Sequence, residues 1–127
     1  MDDRNLVAVA EQAAATSLIQ EGPVAGCTVL SDDGRVFLGC VMEYSEPELN
    51  QDPIANALAV GRVNGMRGVK RVGYYCPTGG SLPTIPALTL RRLQELGTDD
   101  LAILFSPGTG DRIEISLGQL LAEANLA

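Results

Sequence analysis

Ala25-Gly26-Cys27-Thr28-Val29-Leu30-Ser31-Asp32-Asp33-Gly34-Arg35-Val36-Phe37-Leu38-Gly39-Cys40-Val41-Met42, residues 25–42, is the stretch from which the fold is read. Two apolar runs, 25–30 and 36–42, flank Ser31-Asp32-Asp33-Gly34, and the Asp-Gly step favours a tight hairpin turn. A β-hairpin follows. Upstream, Leu6, Val9, Ala10, Ala13, Ala14 and Leu18 recur at helical spacing over 4–20, with Asp2 or Asp3 as cap and Gly22-Pro23 as the stop. Downstream, Asp52-Pro53 opens a second helix, with Asp as N-cap and Pro at the first helical position, running to about Asn64. Its residues Ile54, Ala55, Ala57, Leu58, Ala59 and Val60 are apolar on nearly every side, which predicts burial against a sheet.

The alternation continues to the end of the chain. Val69 to Tyr75 reads as a third strand, followed by the Gly- and Pro-rich connection Cys76 to Pro83. Pro86 to Leu96 is amphipathic, with Leu90, Leu93 and Leu96 on one side, and Gly97 is expected in left-handed geometry at its end. Leu101 to Phe105 and Arg112 to Ile115 are strands about the turn Pro107-Gly108-Thr109-Gly110, and a last helix starts after the cap Ser116. The order α-β-β-α-β-α-β-β-α predicts a layered α/β domain around a mixed sheet, one domain over 1–127.

Composition narrows the function classes. The chain of 127 residues is 46% hydrophobic and 20% charged, values of a folded globular protein. Its apolar runs are broken by Gly, Pro or charge and it begins Met1-Asp2-Asp3, so no membrane span is expected and a cytoplasmic location is the default expectation. A net charge of −7 disfavours nucleic acid and anionic membrane as partners, both of which need clustered Lys and Arg. Arg62, Arg67, Lys70, Arg71, Arg91 and Arg92 are read chiefly as solvated surface, the alternative being a phosphate or an acidic neighbouring subunit. There is no Trp and no His, and the three cysteines, Cys27, Cys40 and Cys76, are irregularly spaced and read as free thiols. Cys27 and Cys40 fall on strands and are expected in the core; Cys76 is expected to be the exposed thiol.

Ala25-Gly26-Cys27-Thr28-Val29-Leu30, Asp33-Gly34-Arg35, Gly39-Cys40-Val41-Met42-Glu43 and the closing Ile115-Ser116-Leu117-Gly118-Gln119-Leu120-Leu121 together resemble, in order and spacing, the small homotetrameric cytidine deaminase family. The resemblance implies a three-layer α/β/α fold with a five-stranded mixed sheet, and assembly as a homo-oligomer, tetramer or dimer. It also implies where zinc chemistry would sit. In zinc deaminases a Cys or His and a P-C-x-x-C pair hold the metal, while a Glu moves protons. On that pattern Asp52 falls at the first ligand, Ile54 at the proton shuttle, and Pro86 and Thr89 at the cysteine pair. No C-x-E, H-x-E or C-x-x-C occurs anywhere in the chain.

The consequence is chemical. Zinc lowers the pKa of its water from 15.7 to about 7 and so supplies hydroxide at neutral pH, while the Glu delivers protons to the ring nitrogen and the leaving ammonia. Both parts are replaced, and one carboxylate with the neutral oxygens of Thr89 and Asn50 makes a poor tetrahedral zinc site. The sequence therefore predicts no metal and no cofactor. Glu43 matches the family's ribose-gripping Glu while Val41 replaces its Asn; Glu43 reads either as a ligand contact or as a surface or interface carboxylate. Asp52, Thr84 and Thr89 are the other candidate ligand contacts, and Tyr44, Tyr74 and Tyr75 line a pocket or pack in strands. The reading is a catalytically inactive cytidine deaminase-like protein, binding a nucleoside-like or other small ligand or serving as an oligomer subunit. The alternative is an active deaminase or other hydrolase with a non-standard site.

Overall fold

The computed structural model describes residues 1–126. Five strands form one mixed sheet in the order β2-β1-β3-β4-β5: β1 Gly26–Ser31, β2 Val36–Cys40, β3 Val69–Tyr75, β4 Ala102–Ser106 and β5 Ile113–Ser116. Only β3 and β4 are parallel, and the crossover between them carries helix α3, Ala87–Leu96. Helix α1, Asp3–Ala14, covers one face, with Leu6 packed against Leu30 and Leu104. Helices α2, Pro53–Val63, α3 and α4, Leu117–Glu123, cover the other, meeting Cys27, Val29, Val72, Tyr74, Ile103 and Phe105. The expected three layers are present. They follow from alternation along β1 and β4, where neighbouring residues serve opposite faces and all are buried.

Glycines set the helix-to-sheet spacing. A Cβ on Gly26 would collide with the backbone of Ala10 and Ala14 in α1, and one on Gly39 with the backbone of Pro53 and Ala57 in α2. Gly73 would place its Cβ 2.7 Å from the Leu6 carbonyl oxygen. Each helix rides directly on strand backbone. In the β1–β2 turn, Gly34 takes φ +90°, and Arg35 donates from Nε to Asp33 at 2.9 Å and from Nη1 to the Asn64 carbonyl at 2.6 Å, tying the turn to the end of α2.

The expected helix over 4–20 stops six residues early, at Ala14. The Thr16 and Ser17 hydroxyls donate to the carbonyls of Ala13 and Ala14, both at 2.7 Å, and this local alternative ends the ladder. Leu18 instead bridges Met42, which in turn bridges Gln51, beyond the end of β2. That clasp sets Gln51 beside the sheet edge, one residue before α2 is capped. Gly97 is a second correction: it is extended, φ −141°, and not left-handed. A Cβ there would fall 2.5 Å from Leu101 Cδ1, so that side-chain end would have to shift. Helix α2 is also less enclosed than its composition predicts, since it lies over the edge strand; Val60 is 45% and Val63 88% exposed. Arg71 is not merely solvated: it bridges Asp3 and Glu114, both at 2.9 Å.

Candidate functional site

The starts of α2 and α3 meet at a cleft of about 400 Å³ lined in part by Val41, Glu43, Asn50, Asp52, Thr89 and Arg92. Asp52 is the N-cap of α2, its Oδ1 accepting from the N–H groups of Ile54 at 3.0 Å and Ala55 at 3.1 Å. Its other oxygen reaches α3. The Thr89 hydroxyl, fully buried, donates to Asp52 Oδ2 at 2.7 Å and accepts from Arg92 Nη1 at 3.3 Å. One carboxylate thus caps one helix and clips a second to it. Pro86, at the N-cap of α3, offers no side-chain bond and lines the cleft.

Ile54 follows the cap and turns inward. It is fully buried in the core with Cys27, Tyr74 and Phe105. A residue so placed holds the helix to the sheet and has no proton to move. Beneath it, burial foremost, with the Asp52 charge adding, holds the Cys27 thiol well above its ordinary range. The Tyr74 phenol is likewise pushed up, chiefly by burial, then by Cys76, Cys27 and Asp52, and its ring lies 5.7 Å from that of Phe105. These are neutral core groups.

Glu43 lines the same cleft, yet its Oε1 is already engaged by the backbone N–H groups of Gln20 at 2.9 Å, Glu21 at 3.1 Å and Gly22 at 2.9 Å. Those bonds hold its carboxyl below the usual carboxylate range. The structure brings Glu43, Asp52 and Thr89 together; Thr84 is exposed in the loop before α3 and does not line the cleft. Arg92, expected chiefly as solvated surface with a phosphate or an acidic neighbouring subunit as the alternative, lines this cleft; its place three residues after Thr89 on one helix face is the signal for it. Cys76 corrects the expectation of an exposed thiol, being 5% exposed, with burial raising its pKa. Cys40 is the more accessible thiol, half-buried at the edge strand, donating weakly to the Thr16 carbonyl.

Asp52, Thr89 and Asn50 do line one cleft, but among the described residues no three His, Cys, Asp or Glu side chains come together in a way that holds a metal ion. Zinc does not fit the donors present. Among the described residues, no helix is long and apolar enough to cross a membrane.

The architecture matches crystal structures of bacterial cytidine deaminases. That from Burkholderia pseudomallei aligns with a TM-score of 0.85 at 22% identity, covering 94% of this chain and 96% of that one. The enzyme from Mycobacterium leprae aligns at 0.79 and 22%, covering 95% and 98%, and that from Mycobacterium tuberculosis at 0.76 and 24%, covering 95% and 94%. No family model matches the sequence. No curated protein matches it either. The chain has the cytidine deaminase fold.

Proposed function

We propose that this chain is a catalytically inactive protein of the cytidine deaminase fold whose former metal position has become a structural clip, leaving a cleft for a nucleoside-like or other small ligand. The observation that carries this reading is the commitment of Asp52: Oδ1 caps α2 and Oδ2 accepts from Thr89, while Ile54 lies in the core. A general acid or base must present a free titratable group to substrate, and a metal must find several anionic or imidazole donors. Neither is offered at these helix starts. The purified chain is expected to contain no stoichiometric zinc and to leave cytidine and deoxycytidine intact. Metal analysis and an ammonia-release assay check this, and zinc at one per chain with turnover would overturn it.

A homo-oligomer is the second part of the proposal. Val63 is 88%, Leu88 70% and Leu49 52% exposed, apolar side chains that association would remove from water. Light scattering on the eluting protein is expected to give a mass above one chain. A monomer at all concentrations would remove the subunit reading and leave the ligand-binding one standing.

A further inference from the structure

A second cleft, of about 380 Å³, lies on the opposite face of the sheet, beneath α1. Tyr74 and Tyr75 are neighbours at the end of β3, so their side chains serve opposite faces: Tyr74 joins the core under Asp52, and Tyr75 lines this second cleft. Arg4 and Glu11 reach it from one face of α1, seven residues apart, and Ser106 enters from β4, paired with Tyr75 across the sheet. Val7 and Ala8 of α1 and Gly108, Gly110, Asp111 and Arg112 of the loop after β4 complete the wall.

Three observations together describe what would fit. Arg4 and Arg112 make no ion pair among the described residues, whereas Arg35 and Arg71 do. Gly108 and Gly110 take φ +85° and +89° with Thr109 between them, the backbone alternation from which anion-binding concavities are built. The backbone N–H groups of Gly108, Thr109, Gly110 and Asp111 donate to no group among the described residues. Two unpaired guanidiniums and a row of unspent N–H donors suit a phosphate group, which accepts from both kinds of donor at once.

The cleft also holds two carboxylates, Glu11 and Asp111, so its charges balance and a bare anion gains little. Asp111 takes one bond, from the Thr109 hydroxyl at 2.9 Å, and retains acceptor capacity. Hydroxyl groups on the ligand would donate to these acids. We propose that this cleft binds a small hydroxyl-bearing phosphate monoester, with Arg4, Arg112 and the 108–111 backbone on the phosphate and Glu11 and Asp111 on the hydroxyls. The site is independent of the reading of the Asp52 cleft.

Glycerol 3-phosphate titrated into the isotope-labelled full chain is the test, with glycerol and glycerate as parallel probes. Saturable shifts of the 108–112 amides and of Tyr75 are expected, half-complete in the low millimolar range, about 1–10 mM, with glycerol and glycerate much weaker. Arg112→Ala and Arg4→Ala, both at exposed positions, are each expected to weaken binding about tenfold or more by removing a charge-assisted contact, while Arg67→Ala leaves it unchanged. No saturation by about 50 mM, glycerate binding as tightly as the phosphate, or Arg67→Ala matching Arg112→Ala would each overturn the proposal.

Discussion

Helices α2 and α3 start side by side at the same cleft, and they start differently. Asp52 gives α2 two backbone bonds and a proline at the first helical position. Pro86 gives α3 no side-chain bond, so the first turn relies on the Pro86 carbonyl, which accepts from Thr89 at 3.0 Å and Leu90 at 3.1 Å, and on the Thr89 hydroxyl held by Asp52. The first helix organises itself; the second borrows its neighbour's carboxylate. In the family pattern one metal would hold both starts, and here one side chain spans them with a hydrogen bond of 2.7 Å. The link between the two starts is a one-way dependence.

That dependence predicts an order of effects. Asp52→Ala removes the cap and the clip together and is expected to cost about 3 kcal/mol in urea unfolding, from about 1 for the cap and 1.5–3 for the charged hydrogen bond. A loss below about 1 kcal/mol would mean α3 holds its own start. Thr89→Val keeps shape and α2's cap while removing the clip, with an expected loss of about 1.5–2 kcal/mol, the lower part of the range for a bond to a charged group. Hydrogen exchange should then rise in the first turn of α3 and not in that of α2; equal rises at both would dissolve the asymmetry. Arg92→Ala is expected to change stability by less than about 0.5 kcal/mol, because its side chain is exposed and only touches Thr89 at 3.3 Å.

Glu43 supplies the smallest and most local effect, at the rim both helices share. Its folded pKa lies below the ordinary 4.5, so its stabilising bonds to residues 20–22 are fully present above that value and are lost as pH falls through the lowered folded one. The stability gap between the wild type and Glu43→Gln is expected to be steady near neutrality and to close in acid. A gap that stays constant down to about pH 2 would detach the carboxylate's charge from the clasp.

The legible parts of the chain were those fixed by local chemistry. The bounds of β3, the Asp52 and Ser116 caps and the Asp-Gly turn are read correctly because each depends on residues within a few positions of one another. The apolar run Ala25 to Leu30 likewise marks a strand, and the alternation of helices and strands marks the layers. What escaped depends on partners distant in sequence. The end of α1 is decided partly by Ser17 bonding to Ala25, and Cys76 is closed over by the core around it. At the cleft, the resemblance places Asp52 and Thr89 at positions where that family holds one metal, but no local signal announces that they bond to each other, or that three backbone N–H groups occupy Glu43.

Gly39 bears on what the starts of α2 and α3 would accept. There α2 rests on bare strand backbone, a contact that does not involve the residue at its cap. A helix held by its ligands drifts when they are exchanged, whereas one held by its footing waits for them. Asp52→Cys, Pro86→Cys and Thr89→Cys introduced together are therefore expected to give a folded chain that takes up zinc, measured as one metal per chain. The same three changes on a Gly39→Ala background, where the footing is lifted, should take up none.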